Sequence, residues 1–431
     1  MAQCKTVLIG AGSFVFGPSM LSQTLLEHRL ESLHLALVDV DGEIAEWMAA
    51  VGRRMAREAG VTAQVSAHSA RREALSGADF VICSAAQQMQ RRFAKDVEII
   101  DRVLPGHLVS EFGGIAGISY SLRQIAMIEA IAEDMRRLCP SAWLLNVANP
   151  LPRVCQAAHE MGVRTAGFCP VSLVGYGMLE RIFTGRPLSY PFITAREKWQ
   201  ATMAGVNHLS WLVKLRDRAS GADRMPALRQ RLAEGASSGN PRAEALARQT
   251  GYLLMPGDDH TKDFLVPQGE ASRASAWHGS PDERERRLRL LKDIGEGRQP
   301  WDELLAHPAW ERPGDLIAAL AYGRPTQLPS LNLVNTGQIP NLPQGVFVET
   351  PALCSADGLY PQTVPLPEPV QPFCASAARV TDAIVRAARE RSLARLHEAI
   401  DQDPTILDKP AGQRAIEACL NAHADLLPAY R

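Results

Sequence analysis

No apolar run in this chain approaches the roughly twenty residues that a membrane-spanning helix requires, so no membrane partner is expected. Net charge is almost absent: 46 basic residues face 47 acidic ones, for a formal charge of -1. Such a balance gives no global field to attract nucleic acid or an anionic bilayer, and it leaves a small molecule as the expected partner. The eight cysteines, at 4, 83, 139, 155, 169, 354, 374 and 419, lack paired short spacings. That argues against a disulfide framework and a zinc knuckle, and for a reducing, cytoplasmic setting. The N-terminus lacks the basic, apolar and cleavage regions of a secretory signal in order, and neither an internal repeat nor a low-complexity tract is found.

What is present is ordinary globular material. With 431 residues, 46% hydrophobic and 22% charged, the chain can build a sizeable core in two domains. Its first part alternates short apolar runs with helical periodicity: strands at 6–9, 34–38, 63–66, 79–83 and 143–147, and helices at 17–27, 42–59 and 119–138. Such alternation implies an α/β fold with a Rossmann-like, doubly wound parallel sheet that takes ligands at its carboxyl edge. After about residue 170 the pattern becomes less regular. The expected division is a cofactor-binding domain over 1–170 and an α+β domain over 171–431 for substrate, metal and oligomer contacts, ending in helices over 376–431. The charged run over 281–291 reads as a solvated helix face, and the proline-rich 364–372 as a connection.

Gly10-Ala11-Gly12-Ser13 follows the first strand. There the first glycine permits a tight turn, and the second lets backbone approach a pyrophosphate at the next helix's amino end. Position 15 is valine, so the three-glycine pattern is two-thirds present and is also compatible with plain strand-to-helix punctuation. Asp39, closing the second strand, is placed to accept hydrogen bonds from an adenine ribose and favours NAD over NADP. In Asn146-Val147-Ala148-Asn149-Pro150, a side-chain amide after a carboxyl-edge strand can hold a carboxamide and a sugar hydroxyl, or simply cap a turn. Cys169 reads either as a small buried hydrophobe or as a soft ligand, and His208 either as a core imidazole or as a ligand.

Taken in order, Gly10-Ala11-Gly12-Ser13, Asn146-Val147-Ala148-Asn149-Pro150, Cys169, Gly205-Val206-Asn207-His208-Leu209-Ser210-Trp211, Asn341-Leu342-Pro343 and Val348-Glu349-Thr350-Pro351 resemble the family-four glycoside hydrolases. The segment Pro256-Gly257-Asp258-Asp259-His260-Thr261-Lys262-Asp263-Phe264 is similar to the α-galactosidase and α-galacturonidase branch. The resemblance implies a lactate/malate dehydrogenase-like fold, an NAD cofactor and a divalent metal, most often Mn, outside the two-carboxylate scheme of most glycosidases. It implies transient oxidation at C3 of the sugar by NAD, loss of the C2 proton, elimination of the C1 substituent, water addition and re-reduction, with no net redox. The implied metal ligands are Cys169 and His208, and Asn149 and Asn207 would hold sugar hydroxyls beside them. Tyr252 is the implied base, with His260 competing for that role or for contact with the sugar, and Glu111 is implied in proton delivery or metal support. Gly10, Gly12, Ser13, Asp39 and Asn149 would bind the cofactor, and relatives are homodimers or homotetramers.

A thiolate is soft and manganese prefers oxygen, so substrate and water oxygens would have to supply the harder donors. Two departures matter. Pro170 stands where the family usually carries histidine or asparagine, and the turn Ser110-Glu111-Phe112-Gly113-Gly114-Ile115 replaces one containing threonine and proline. No motif for a sugar phosphate is found, which favours an unphosphorylated glycoside, an α-galacturonide or a related hexoside. The alternatives are a net NAD-dependent oxidoreductase on a sugar or hydroxy acid, against which Cys169 with His208 speaks, and a non-catalytic NAD or sugar sensor, for which Pro170 is the best argument.

Overall fold

A computed structural model describes residues 3–265, 281–306 and 309–431. Its centre is a sheet of eleven strands. The strands are β1 (Cys4–Ile9), β2 (Leu33–Val38), β3 (Ala63–His68), β4 (Phe80–Cys83), β5 (Trp143–Asn146), β6 (Arg164–Gly167), β7 (Trp199–Val206), β8 (Leu209–Asp217), β9 (Thr326–Val334), β10 (Phe347–Ser355) and β11 (Gly358–Pro361). Across the sheet they run β3-β2-β1-β4-β5-β6-β9-β10-β7-β8, with β11 on β10. The first six are parallel in the Rossmann order, as the alternating strand and helix periods predict. β9 joins β6 antiparallel through Gly167 and Asn332, so the parallel half and the antiparallel half form one continuous sheet.

Successive side chains on a strand point to opposite faces, and the parallel half is apolar on both. Val7, Val81 and Leu144 enter one core and Leu8, Ile82 and Leu145 the other. The helix Gly114–Leu138 starts five residues before the sequence expectation, because the N-H of Gly114 is satisfied by the Thr405 hydroxyl at 2.9 Å, a partner 291 residues away. The helices Gln371–Glu390, Leu393–Gln402 and Lys409–Ala422 also return to the first half: Ile384 and Ile416 share a core with Val7. A buried ionic cluster ties this end down. Asp96 accepts from Arg123 at 2.7 Å and from Ser119 at 2.8 Å, and His423 Nε2 lies 2.8 Å from it.

The charged helix Pro281–Gly295 buries Leu291 and Ile294 beside the helix Gly42–Ala59, while Glu283 and Arg287 pair on its outer side. This is the solvated face expected of the run. No helix among the described residues is long and apolar enough to cross a membrane.

Candidate functional site

The carboxyl ends of β1, β2, β4, β5 and β6 converge with the β7–β8 turn. Gly10 ends β1 with φ +89°, and a Cβ there would lie 2.9 Å from the Ala85 nitrogen. That conformation and that closeness both demand glycine. The next turn is held from β2: Asp39 Oδ2 accepts from the Gly12 N-H at 2.8 Å, and Oδ1 from the Asp41 N-H at 3.1 Å. Ser13 Oγ accepts from the N-H of Phe16, the first residue of the helix Phe16–Leu21, at 3.2 Å. The missing third glycine has a substitute. Gly17 lies where a Cβ would come within 2.5 Å of the Ala11 carbonyl and 2.7 Å of Met48, so it permits the close packing that Val15 does not. A shifted glycine two residues beyond the pattern was the signal.

At β5 the peptide before Pro150 is cis, and Gln124 donates to the carbonyls of Asn149 and Ala85, both at 3.2 Å. Asn149 Nδ2 donates to Glu111 Oε2 at 3.2 Å, and its Oδ1 is buried with no protein partner. Thus Glu111, linked to the site by the resemblance, is in contact with Asn149.

The two-residue turn between β7 and β8 carries Asn207 and His208. His208 has φ +65°, a left-handed conformation that costs a non-glycine residue about 1–3 kcal/mol and persists only where its surroundings impose it. Here they do. Phe112 packs on the His208 ring at 4.1 Å between centroids, His260 meets it edge-on at 4.3 Å, and the residue is 3% exposed. His208 Nε2 lies 3.2 Å from Cys169 Sγ, just beyond β6, and Asn207 Nδ2 donates to the Cys169 carbonyl at 3.1 Å. The cysteine and histidine, 39 residues apart in sequence, therefore form one pair.

Burial controls the electrostatics of this group. It pushes the half-buried Cys169 thiol well above its ordinary value, with the Glu311 carboxylate adding to the effect. It holds His208 well below the usual imidazole value, assisted by His260, and lowers His260 too. Burial thus favours the neutral form of both imidazoles. Asp263, 6% exposed, is pushed up by burial to about 7. One ligand atom from each of His208, His260 and Asp263 lies within 4.8 Å of the others. Sequence reading named the first two and missed the third. The i, i+3 spacing of His260 and Asp263, at the end of the short helix Asp258–Thr261, could have indicated it.

Glu349 of β10 is a further residue to which the sequence alone assigns no role. It is fully buried, and burial raises its pKa. Its carboxylate receives the hydroxyls of Ser172 at 2.5 Å, Ser330 at 2.6 Å and Ser210 at 2.8 Å. These tie the segment after Cys169 to the strand after His208. Tyr252 lies apart from these contacts: its ring faces the Arg229 guanidinium at 5.2 Å. Pro170 opens the 3-10 turn Val171–Leu173, where its carbonyl accepts from Leu173 at 2.8 Å.

Residues 5–184 match the family 4 glycosyl hydrolases and residues 203–406 match the C-terminal domain of the same family. The chain belongs to glycosyl hydrolase family 4. Among curated relatives of this family-4 chain, an α-galactosidase of Bacillus subtilis is 25% identical, the match covering 99% of this chain and 100% of the relative. An α-galacturonidase of the same organism is also 25% identical, with 94% of each chain covered. In fold, the family-4 chain resembles a 6-phospho-α-glucosidase from gut microorganisms solved with NAD and Mn2+. That likeness has a TM-score of 0.78 at 20% identity over 100% of both chains. A Thermotoga maritima 6-phospho-β-glucosidase solved with NAD and glucose 6-phosphate gives 0.78 at 18% identity, over 99% of this chain and 100% of the other.

Proposed function

We propose that this family-4 chain is an NAD- and divalent-cation-dependent glycosidase acting on an unphosphorylated glycoside, an α-galacturonide or a related hexoside. The observation that carries the reading is the 3.2 Å approach of Cys169 Sγ to His208 Nε2 on the same sheet edge as the Gly10-Gly12-Asp39 turn. Donors bound to one ion at about 2.1–2.3 Å lie at most about 4.4 Å apart, so this pair suits a single cation. The turn expected to hold the cofactor suits it as well: Gly10 lets the chain pass close against Ala85, and Asp39, bonded to the Gly12 N-H, is already oriented beside it. Buried Oδ1 atoms on Asn149 and Asn207 have no protein partner and are free to accept from sugar hydroxyls.

When bound, NAD would supply a hydride acceptor for a sugar hydroxyl and Mn2+ a Lewis acid for the neighbouring oxygens. The chain's own part is positioning and proton transfer. Asn149 and Asn207 orient hydroxyls, and Asn149 also holds Glu111, which either moves a proton or supports the cation. His260, its neutral form favoured by burial and its ring packed on His208, is placed to accept a proton, and Tyr252 is the competing base. The names of the α-galactosidase and α-galacturonidase relatives support the choice of sugar. The NAD and Mn2+ of the gut-microorganism enzyme support the cofactors. The division near residue 170 into cofactor and substrate parts, a homodimer or homotetramer, and a cytoplasmic location belong to the same reading.

Incubation with NAD, Mn2+ and a panel of aryl glycosides in deuterated water tests it. The expected result is release of aglycone with deuterium at C2 of the sugar. Accumulation of NADH in step with substrate loss would replace the reading with a net oxidoreductase, and binding without turnover would replace it with a sensor.

A further inference from the structure

His208 and Asp263 present a matched pair of unsatisfied atoms. His208 Nδ1 and Asp263 Oδ1 are both buried without a hydrogen-bond partner, and a nitrogen of the one and a carboxylate oxygen of the other lie within 4.8 Å. Leaving a buried polar atom unpaired is costly, so one such atom on each of two neighbouring residues calls for a physical reason. A separation of that order admits a bond after a small rotation, or one bridging water, since two hydrogen bonds of about 2.8 Å meeting at a water span it.

The two nitrogens of His208 are distinguishable. Nε2 is on the Cys169 side, 3.2 Å from the sulfur. A cation shared with that sulfur takes the Nε2 lone pair, which requires the proton to be on Nδ1. Nδ1 then needs an acceptor, and ligating imidazoles usually donate this second N-H to a carboxylate, a carbonyl or water. We infer that Asp263 is a positioning residue for the cation site, accepting the Nδ1 proton of His208 directly or through one water and so fixing the tautomer that leaves Nε2 free to bind metal. The inference rests on the proposed use of Cys169 and His208 as metal ligands.

Asp263 is itself held in place. A Cβ on Gly113 would lie 2.6 Å from the Asp263 carbonyl oxygen, so the 110–114 turn and the end of the 258–263 segment are in close contact. The same turn supplies Phe112, which packs on the His208 ring. Ring orientation and proton acceptor thus come from two segments that brace each other.

Mn2+ affinity is the measurement, read from the electron paramagnetic resonance signal of free Mn2+ in the presence of NAD. For Asp263→Ala the expected result is binding weaker by about 10- to 100-fold, the usual cost of removing such a partner, and for Asp263→Asn a smaller loss. Unaltered Mn2+ affinity in a folded Asp263→Ala protein would overturn the inference, as would a lowered melting temperature without a change in affinity. If that variant does not fold, the isosteric Asp263→Asn carries the same reading. In addition, 15N shifts of labelled histidine in the Mg2+-loaded wild type should show His208 protonated at Nδ1; metal on Nδ1 would also overturn it. Failure of the underlying reading looks different: the wild type itself would bind no Mn2+, or Cys169→Ser and His208→Ala would bind it normally.

Discussion

Two buried polar groups in this protein use similar residue types for opposite ends. Around Asp96, a carboxylate, a guanidinium, a hydroxyl and an imidazole are linked so completely that only the far nitrogen of His423 lacks a partner. Around His208, the unpartnered atoms include His208 Nδ1 and the Oδ1 atoms of Asn149, Asn207 and Asp263. Buried polar atoms are paired as a rule, so a concentration of exceptions on one sheet edge marks a place built to be completed by something else. Saturation fits the first group to a fastener for the C-terminal helices, and deficiency agrees with the proposed use of the second as a binding site.

The sharpest way to break this comparison is to remove a metal donor. Cys169→Ser and His208→Ala should each lower aglycone release by about a thousandfold or more, as loss of a preorganised charge stabiliser does. Thermal stability and NAD titration should change little. Normal turnover in either variant would end the metal assignment. The converse change is Arg123→Ala, which leaves Asp96 buried without its guanidinium. It should cost about 3–5 kcal/mol of stability in urea unfolding, with turnover per folded molecule retained. A loss of activity without a loss of stability would reverse the roles assigned to the two groups.

Within the site, the contacts separate two candidates for the base that the family resemblance ranks the other way. His260 is against His208, whereas Tyr252 stands over Arg229. His260→Ala should therefore slow deuterium exchange at C2 by about a hundredfold, the lower end of what a positioned base contributes, and Tyr252→Phe by less. The opposite order, measured by mass spectrometry of the sugar, would restore Tyr252.

How much of this could be read from the chain follows from the range of the interactions. The helix Gly42–Ala59 and the parallel strands are set by local period and by caps such as Asp41, which accepts from the N-H groups of Glu43 and Ile44, so their positions were legible. The helix start at Gly114 was not, because its partner Thr405 is remote. The continuity of the sheet through Gly167 and Asn332 depends on a pairing across 165 residues, which no local pattern records. Cys169 and His208 were legible as a pair only through the family's motif order, since a lone cysteine and a lone histidine each have commoner uses. Asp263 and the serine-held Glu349 acquire meaning only from burial and from the neighbours that folding brings to them.

The smallest expected effect concerns Asp39, where the comparison is at its finest. Its carboxylate already accepts from the Gly12 and Asp41 amides, so unlike Asn149 or Asp263 it is satisfied without a ligand. A ribose would add bonds to an acceptor whose orientation is already fixed, and a carboxylate can accept more than two. Asp39→Ala removes those contacts and loosens the Gly12 turn, but leaves the Gly10 cradle intact. NAD binding should then weaken by roughly tenfold, equivalent to about one charge-assisted hydrogen bond, as read by fluorescence titration. The same variant should lose less affinity for NADP, because the carboxylate that repels a 2′-phosphate has gone. An equal loss for both cofactors would mean that Asp39 serves the turn alone and takes no part in recognising the ribose.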